Sequence, residues 1–162
     1  MRAYTVAELD AIALELSPMY RPLPAFAGAT GLTPEEWAAL ERRDLDRHAG
    51  VLNVRRTVSD SEIVELGKTT RSRRQVPLTA RALAALDELP PRLDTPLIFT
   101  APAGGLFNLN NFRRREWAPA IEASDTTTPA RIYDLRSTFA SRALAAGVSA
   151  FELARVMGTS VS

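Results

Sequence analysis

One lysine stands among nineteen arginines in this chain of 162 residues. It lies in Gly67-Lys68-Thr69-Thr70-Arg71-Ser72-Arg73-Arg74, where four cations fall within seven residues and no acid intervenes. Arginine keeps its proton at any usable pH, whereas a lysine can shift its pKa and give the proton up. A lysine where arginine is otherwise chosen points to proton donation, with Lys68 as the acid. Arg71, Arg73 and Arg74 beside it suit nucleic-acid phosphates, each neutralised phosphate adding salt-dependent affinity. The same segment also reads as a solvated polar turn.

Two further groups of residues carry chemistry. Arg113-Arg114-Arg115 falls in a helical stretch, where consecutive residues fan across about 200° and cannot all face one phosphate strand. Arg113 and Arg114 are the DNA-contact candidates. In Tyr133-Asp134-Leu135-Arg136 the tyrosine and Arg136 are three apart and share a helix face, while Leu135 and Phe139 point to the core. A phenol beside a guanidinium fork is a plausible phosphate grip. The alternative is a tyrosine at the core edge with a surface arginine.

Much chemistry is excluded. With no cysteine and one histidine, His48, disulfides, thiolate zinc sites and cysteine nucleophiles are absent, and a Ser-His-Asp triad or multi-histidine metal site is untenable. Neither metal nor cofactor nor small-molecule substrate is predicted. No apolar run approaches the roughly 20 residues of a membrane span, and Met1-Arg2-Ala3-Tyr4 does not open a signal peptide, which predicts a cytoplasmic protein. The net charge of +1 conceals an uneven distribution: residues 1–50 carry 5 basic and 8 acidic side chains, residues 51–74 carry 6 and 3.

The elements that must position these groups follow from caps and periodicity. Thr5-x-x-Glu8 opens a helix over 5–16 with Leu9, Ile12 and Leu16 on one face. A short apolar helix ends near Gly31, and Thr33-Pro34-Glu35-Glu36 starts another through Trp37 and Leu40. Residues 51–54, 63–66 and 75–78 read as three strands of one antiparallel sheet, with the basic segment at the tip between the second and third. Helices are predicted from Thr79, over 108–122, over 134–146 with Leu135, Phe139 and Leu144 inward, and over 149–157 from a capping box Ser149-x-x-Glu152. The fold class is α+β, a mainly helical single domain with a small three-stranded antiparallel sheet.

Ala29-Thr30-Gly31-Leu32-Thr33-Pro34-Glu35-Glu36, the segment from Gly67-Lys68-Thr69 to Val76-Pro77-Leu78, Tyr133 through Ser141, and Val156-Met157-Gly158-Thr159-Ser160 resemble, in order, the motifs of the tyrosine-recombinase (phage-integrase) catalytic domain. The resemblance covers nearly the whole chain. It implies a DNA-binding domain of a site-specific recombinase working by transesterification through a phosphotyrosine, in DNA integration and recombination. Lys68 then matches the general acid, Arg136 the second phosphate-binding arginine, and Tyr133 a position held by histidine or tyrosine. Two positions are degenerate: Thr33 stands where the first arginine is expected, and Thr159 where histidine or tryptophan is common.

The nucleophilic tyrosine is expected in a helix after Ser160, and Tyr4, Tyr20 and Tyr133 do not match it. The reading is thus an integrase-like catalytic domain over 1–162 without that helix and without an N-terminal core-binding domain, inactive as the isolated chain. Its implied partners are double-stranded DNA and other recombinase subunits, in a bacterial or phage-derived setting. The alternatives are a non-enzymatic DNA-binding accessory module and a decayed remnant.

Overall fold

The structure, a computed structural model, describes residues 2–67 and 73–159. Lys68 and Arg71, with the proton-donor and basic-tip readings, lie outside the described residues, as does Ser160. In chain order the elements are α1 (Val6–Glu15), α2 (Leu23–Thr30), α3 (Pro34–Ala38), β1 (Leu45–Asp46), β2 (Val51–Val54), β3 (Arg56–Ser59), β4 (Glu62–Glu65) and β5 (Arg74–Pro77). There follow α4 (Ala80–Asp87), α5 (Leu109–Phe112), α6 (Ala118–Ala123), α7 (Asp134–Ala145) and α8 (Ala150–Met157).

The capping box of α1 forms as predicted: Glu8 N–H donates to Thr5 Oγ1 at 3.1 Å and Thr5 N–H to the Glu8 carboxylate at 2.9 Å. Leu9 and Ile12 on its inner face join Tyr4 and Leu16 in the core. Helix α2 is apolar on every side, so it becomes the central helix, packed against α1, α4 and α7. It ends at Gly31 with φ +71°, a left-handed cap, and a Cβ there would lie 2.5 Å from the Phe139 ring. Glycine is required twice over, by the backbone and by its neighbour.

The strands assemble differently from the predicted single sheet. β2 pairs with β1 and β5, placing Leu52 opposite Val76 and Val54 opposite Arg74. β4 instead pairs with β3 in a separate hairpin that packs on α3. Its turn is Asp60-Ser61, with φ 50° and 62°, so the tip of this ribbon is acidic and polar. Two successive left-handed residues match a two-residue hairpin turn, but neither is the glycine that would signal it. The three-stranded sheet exists, with β1 in place of residues 63–66.

The predicted helix over 108–122 is one rod with a wide π turn at Arg113–Trp117, where Ala118 N–H reaches back to Arg113 O. Pro119 supplies the cause. It has no N–H to donate, and its ring would collide with the carbonyl four residues earlier, so the turn widens. Two smaller corrections complete the helices. Ser149 caps α8, but the Glu152 carboxylate pairs with Arg155 rather than closing a box. Leu144, predicted inward, is exposed. Among the described residues, no helix is long and apolar enough to cross a membrane.

Candidate nucleic-acid interface

Arg136 sits in the first turn of α7, and that turn is pinned from several sides. The Asp134 carboxylate accepts from Arg131 N–H at 3.1 Å and from the Arg131 guanidinium at 3.0 Å. Thr138 Oγ1 donates to Asp134 O at 2.8 Å and accepts from Tyr4 N–H at 2.9 Å, tying α7 to the entry of α1. On this fixed base Arg136 turns inward. It donates to Gly31 O at 2.6 Å and to Met157 O at 2.8 Å, with the Glu36 carboxylate 3.9 Å away.

A second guanidinium reaches the same place from β5. Arg74 grips Glu36 through both terminal nitrogens, at 2.7 and 3.1 Å, and donates from Nε to Val156 O at 2.5 Å. It lies flat on Gly158, the left-handed cap of α8, where a Cβ would come within 2.9 Å of its nitrogen. The two glycine caps therefore frame one cluster, Arg136, Glu36 and Arg74, into which the C-terminal carbonyls of α2 and α8 point. Those carbonyls carry the negative ends of two helix dipoles and offset part of the positive charge. Among the described residues, both guanidinium groups meet the carboxylate of Glu36.

Burial pushes the Arg136 guanidinium below its ordinary value, and Glu36 opposes that shift. A tenth of its side chain remains accessible. Of its five N–H groups, two are taken by the carbonyls, so the fork keeps donors for an anion.

The other sequence candidates fall around this cluster. Thr33 is spent locally: its Oγ1 accepts from Glu36 N–H at 3.1 Å and its own N–H donates to Glu36 Oε1 at 2.9 Å. It brings no charge to the cluster. Tyr133 is half exposed at the start of α7, and Arg136 is buried, the reverse of a core-edge tyrosine with a surface arginine. Thr159 is exposed beside Arg73, Gln75 and Arg155 in a shallow hollow.

Arg113 and Arg114 are exposed and bond only neighbouring side chains, Asn110 at 3.0 Å and Asn111 at 3.1 Å. Arg74, predicted to touch DNA, has a buried side chain that pairs with Glu36. Glu36 is the residue the sequence reading missed. It was legible only as a helix cap, although its place five residues after Gly31 put it within the motif.

Comparison with solved structures identifies the fold. XerA recombinase superposes with a TM-score of 0.77 over 99% of this chain at 16% identity. The Tn1549 transposon integrase in complex with a circular intermediate DNA gives 0.79 over 99% at 18% identity. The lambda integrase catalytic core gives 0.68 over 98% at 19% identity.

The chain has the tyrosine-recombinase catalytic fold.

It spans 57% of the XerA chain and 58% of the Tn1549 integrase chain, but 91% of the lambda catalytic core. No protein-family model matches the sequence, and no curated protein matches it. Within the recombinase fold, the α2 cap, the first turn of α7 and the α8 cap converge on Arg136 and Glu36.

Proposed function

We propose that this chain is the DNA-binding domain of a site-specific tyrosine recombinase or integrase, which grips duplex phosphates and, as the isolated 162 residues, does not cleave them. The observation that carries the reading is the cluster at Arg136, a nearly buried guanidinium that keeps N–H donors beyond the two its carbonyl partners take. Double-stranded DNA is the partner this chemistry suits, with further recombinase subunits joining it on the DNA.

Transesterification through a phosphotyrosine needs a nucleophile, cations for the developing oxyanion and an acid for the leaving oxygen. Thr33 supplies no cation, and by analogy with deleting one oxyanion donor this removes about 2.7–4 kcal/mol of transition-state stabilisation. Tyr4 and Tyr20 are core residues whose hydroxyls donate to Arg131 O and Thr100 O, each at 2.7 Å. Burial raises both phenols, Tyr20 to about 12, so neither forms a phenolate near neutrality. Tyr133 is exposed, yet it stands beside Arg136 where the family resemblance implies a supporting role rather than attack.

A nicked suicide duplex tests both halves. Salt-dependent binding without a covalent protein-DNA adduct is expected. An adduct overturns the inactivity, and absence of binding at low salt overturns the DNA-binding reading.

A further inference from the structure

A groove of about 610 Å³ begins at Tyr133 and runs away from Arg136, between the rod of α5 and α6 and the return segment 126–133. Its direction is fixed by bonds along it. Thr126 N–H donates to Ile121 O at 3.1 Å, and Trp117 Nε1 donates to Ala130 O at 2.9 Å, so the two walls are antiparallel. Arg113 and Tyr133 therefore share one end, Trp117 and Ala130 the middle, and Glu122, Asp125 and Thr126 the other end. The floor is apolar, formed by the buried faces of Trp117, Ile121 and Ile132. The π turn contributes directly. A turn of more than four residues stacks Arg113 over Trp117, so the cation and the floor residue line the same groove.

We propose that this groove receives one unpaired nucleotide next to the phosphate held at Arg136. The inference rests on the DNA-binding reading above and names a second element of the substrate.

The charge along the groove selects the occupant. Arg113, bonded to the neutral Asn110, stands at the mouth end, with Arg131 whose charge Asp134 partly offsets; a phosphate stays there, and half-exposed Tyr133 offers a face for stacking. Glu122 and Asp125 at the far end repel a continuing phosphate chain, which excludes a strand threaded along the groove. They accept hydrogen bonds from the exocyclic amine of a base, as Asp and Glu do from cytosine N4. An anion at one end and an amine edge at the other describe a single nucleotide. The volume falls within the roughly 300–1,000 Å³ of small-ligand sites.

The test compares two duplexes of one sequence, fully paired and with a single unpaired 2-aminopurine, by anisotropy at 50 mM salt. Wild type binds the unpaired duplex about tenfold tighter, as one stacked base at 1–3 kcal/mol gives. Ala118→Trp, on the exposed lip of the groove, abolishes that preference and leaves paired-duplex affinity unchanged. Equal affinity of wild type for the two duplexes overturns the inference while the DNA-binding reading stands. So does a preference that survives Ala118→Trp, or a variant that alters only sedimentation, which would assign the groove to a second copy of the chain. No binding to either duplex overturns both.

Discussion

Among the described residues two arginine clusters are buried, and they are held in different ways. Arg56 on β3 is surrounded by acids: its Nε lies 3.0 Å from Glu41, which exposed Arg43 also reaches at 3.0 Å, it pairs closely with Asp44, and exposed Glu65 stands at 3.6 Å. Among the described residues, Arg74 and Arg136 both meet the carboxylate of Glu36, and Arg136 otherwise donates to the main-chain carbonyls of Gly31 and Met157. The first cluster joins the hairpin to the turn before β1 through ion pairs to side-chain carboxylates. In the second, Arg136 keeps N–H donors beyond the two that its carbonyl partners take. Spare donors on a nearly buried guanidinium suit a phosphate.

The largest effect that would sharpen this contrast is expected from Glu36→Gln. It removes the carboxylate that both guanidinium groups meet and should cost about 3–5 kcal/mol in urea unfolding. Added phosphate should recover part of that loss, because an anion can take the place of the carboxylate. Next, Arg56→Met strands Asp44, which is 3% exposed, at a cost of about 3 kcal/mol. Phosphate should restore nothing there, and DNA affinity measured on the folded fraction should not change. Equal rescue of both variants would erase the distinction between the clusters.

Thr33→Ala is a smaller perturbation, since it removes one N-cap hydroxyl, and about 1 kcal/mol of stability should go. If Thr33 is only a cap, duplex affinity by anisotropy stays the same. Smallest of all, Arg114→Ala touches an exposed side chain bonded only to Asn111. It should leave the melting temperature unchanged and lower the slope of log affinity against log salt by about 0.9 if Arg114 meets a phosphate.

What could be read in advance follows the range of the interactions involved. The helix starts at Thr5, Thr33, Thr79 and Ser149 were legible because a cap is a contact over three residues. The π turn had a local signal in Pro119 that periodicity alone passes over. Strand partners were less accessible. Residues 62–65 pair across a turn without glycine, and nothing in their alternation says whether β3 or β5 lies beside them.

At the site, spacing placed Tyr133 and Arg136 on one face but could not say which turned inward. Arg136 is drawn in by Gly31 O and Met157 O, acceptors 105 and 21 residues away, and Arg74 by Glu36, 38 residues away. Such directions exist only once the chain has folded, which is why Arg74 read as a surface cation and Glu36 as a mere cap.

The central claim is that DNA phosphate meets Arg136 and not Arg56. Guanidinium nitrogen-proton spectra of the nitrogen-labelled protein, recorded while duplex DNA is added, test it within one sample. The Arg136 signal should move and sharpen while that of Arg56 holds still. An Arg136 signal that stays with Arg56, while surface arginines alone respond, would contradict the account.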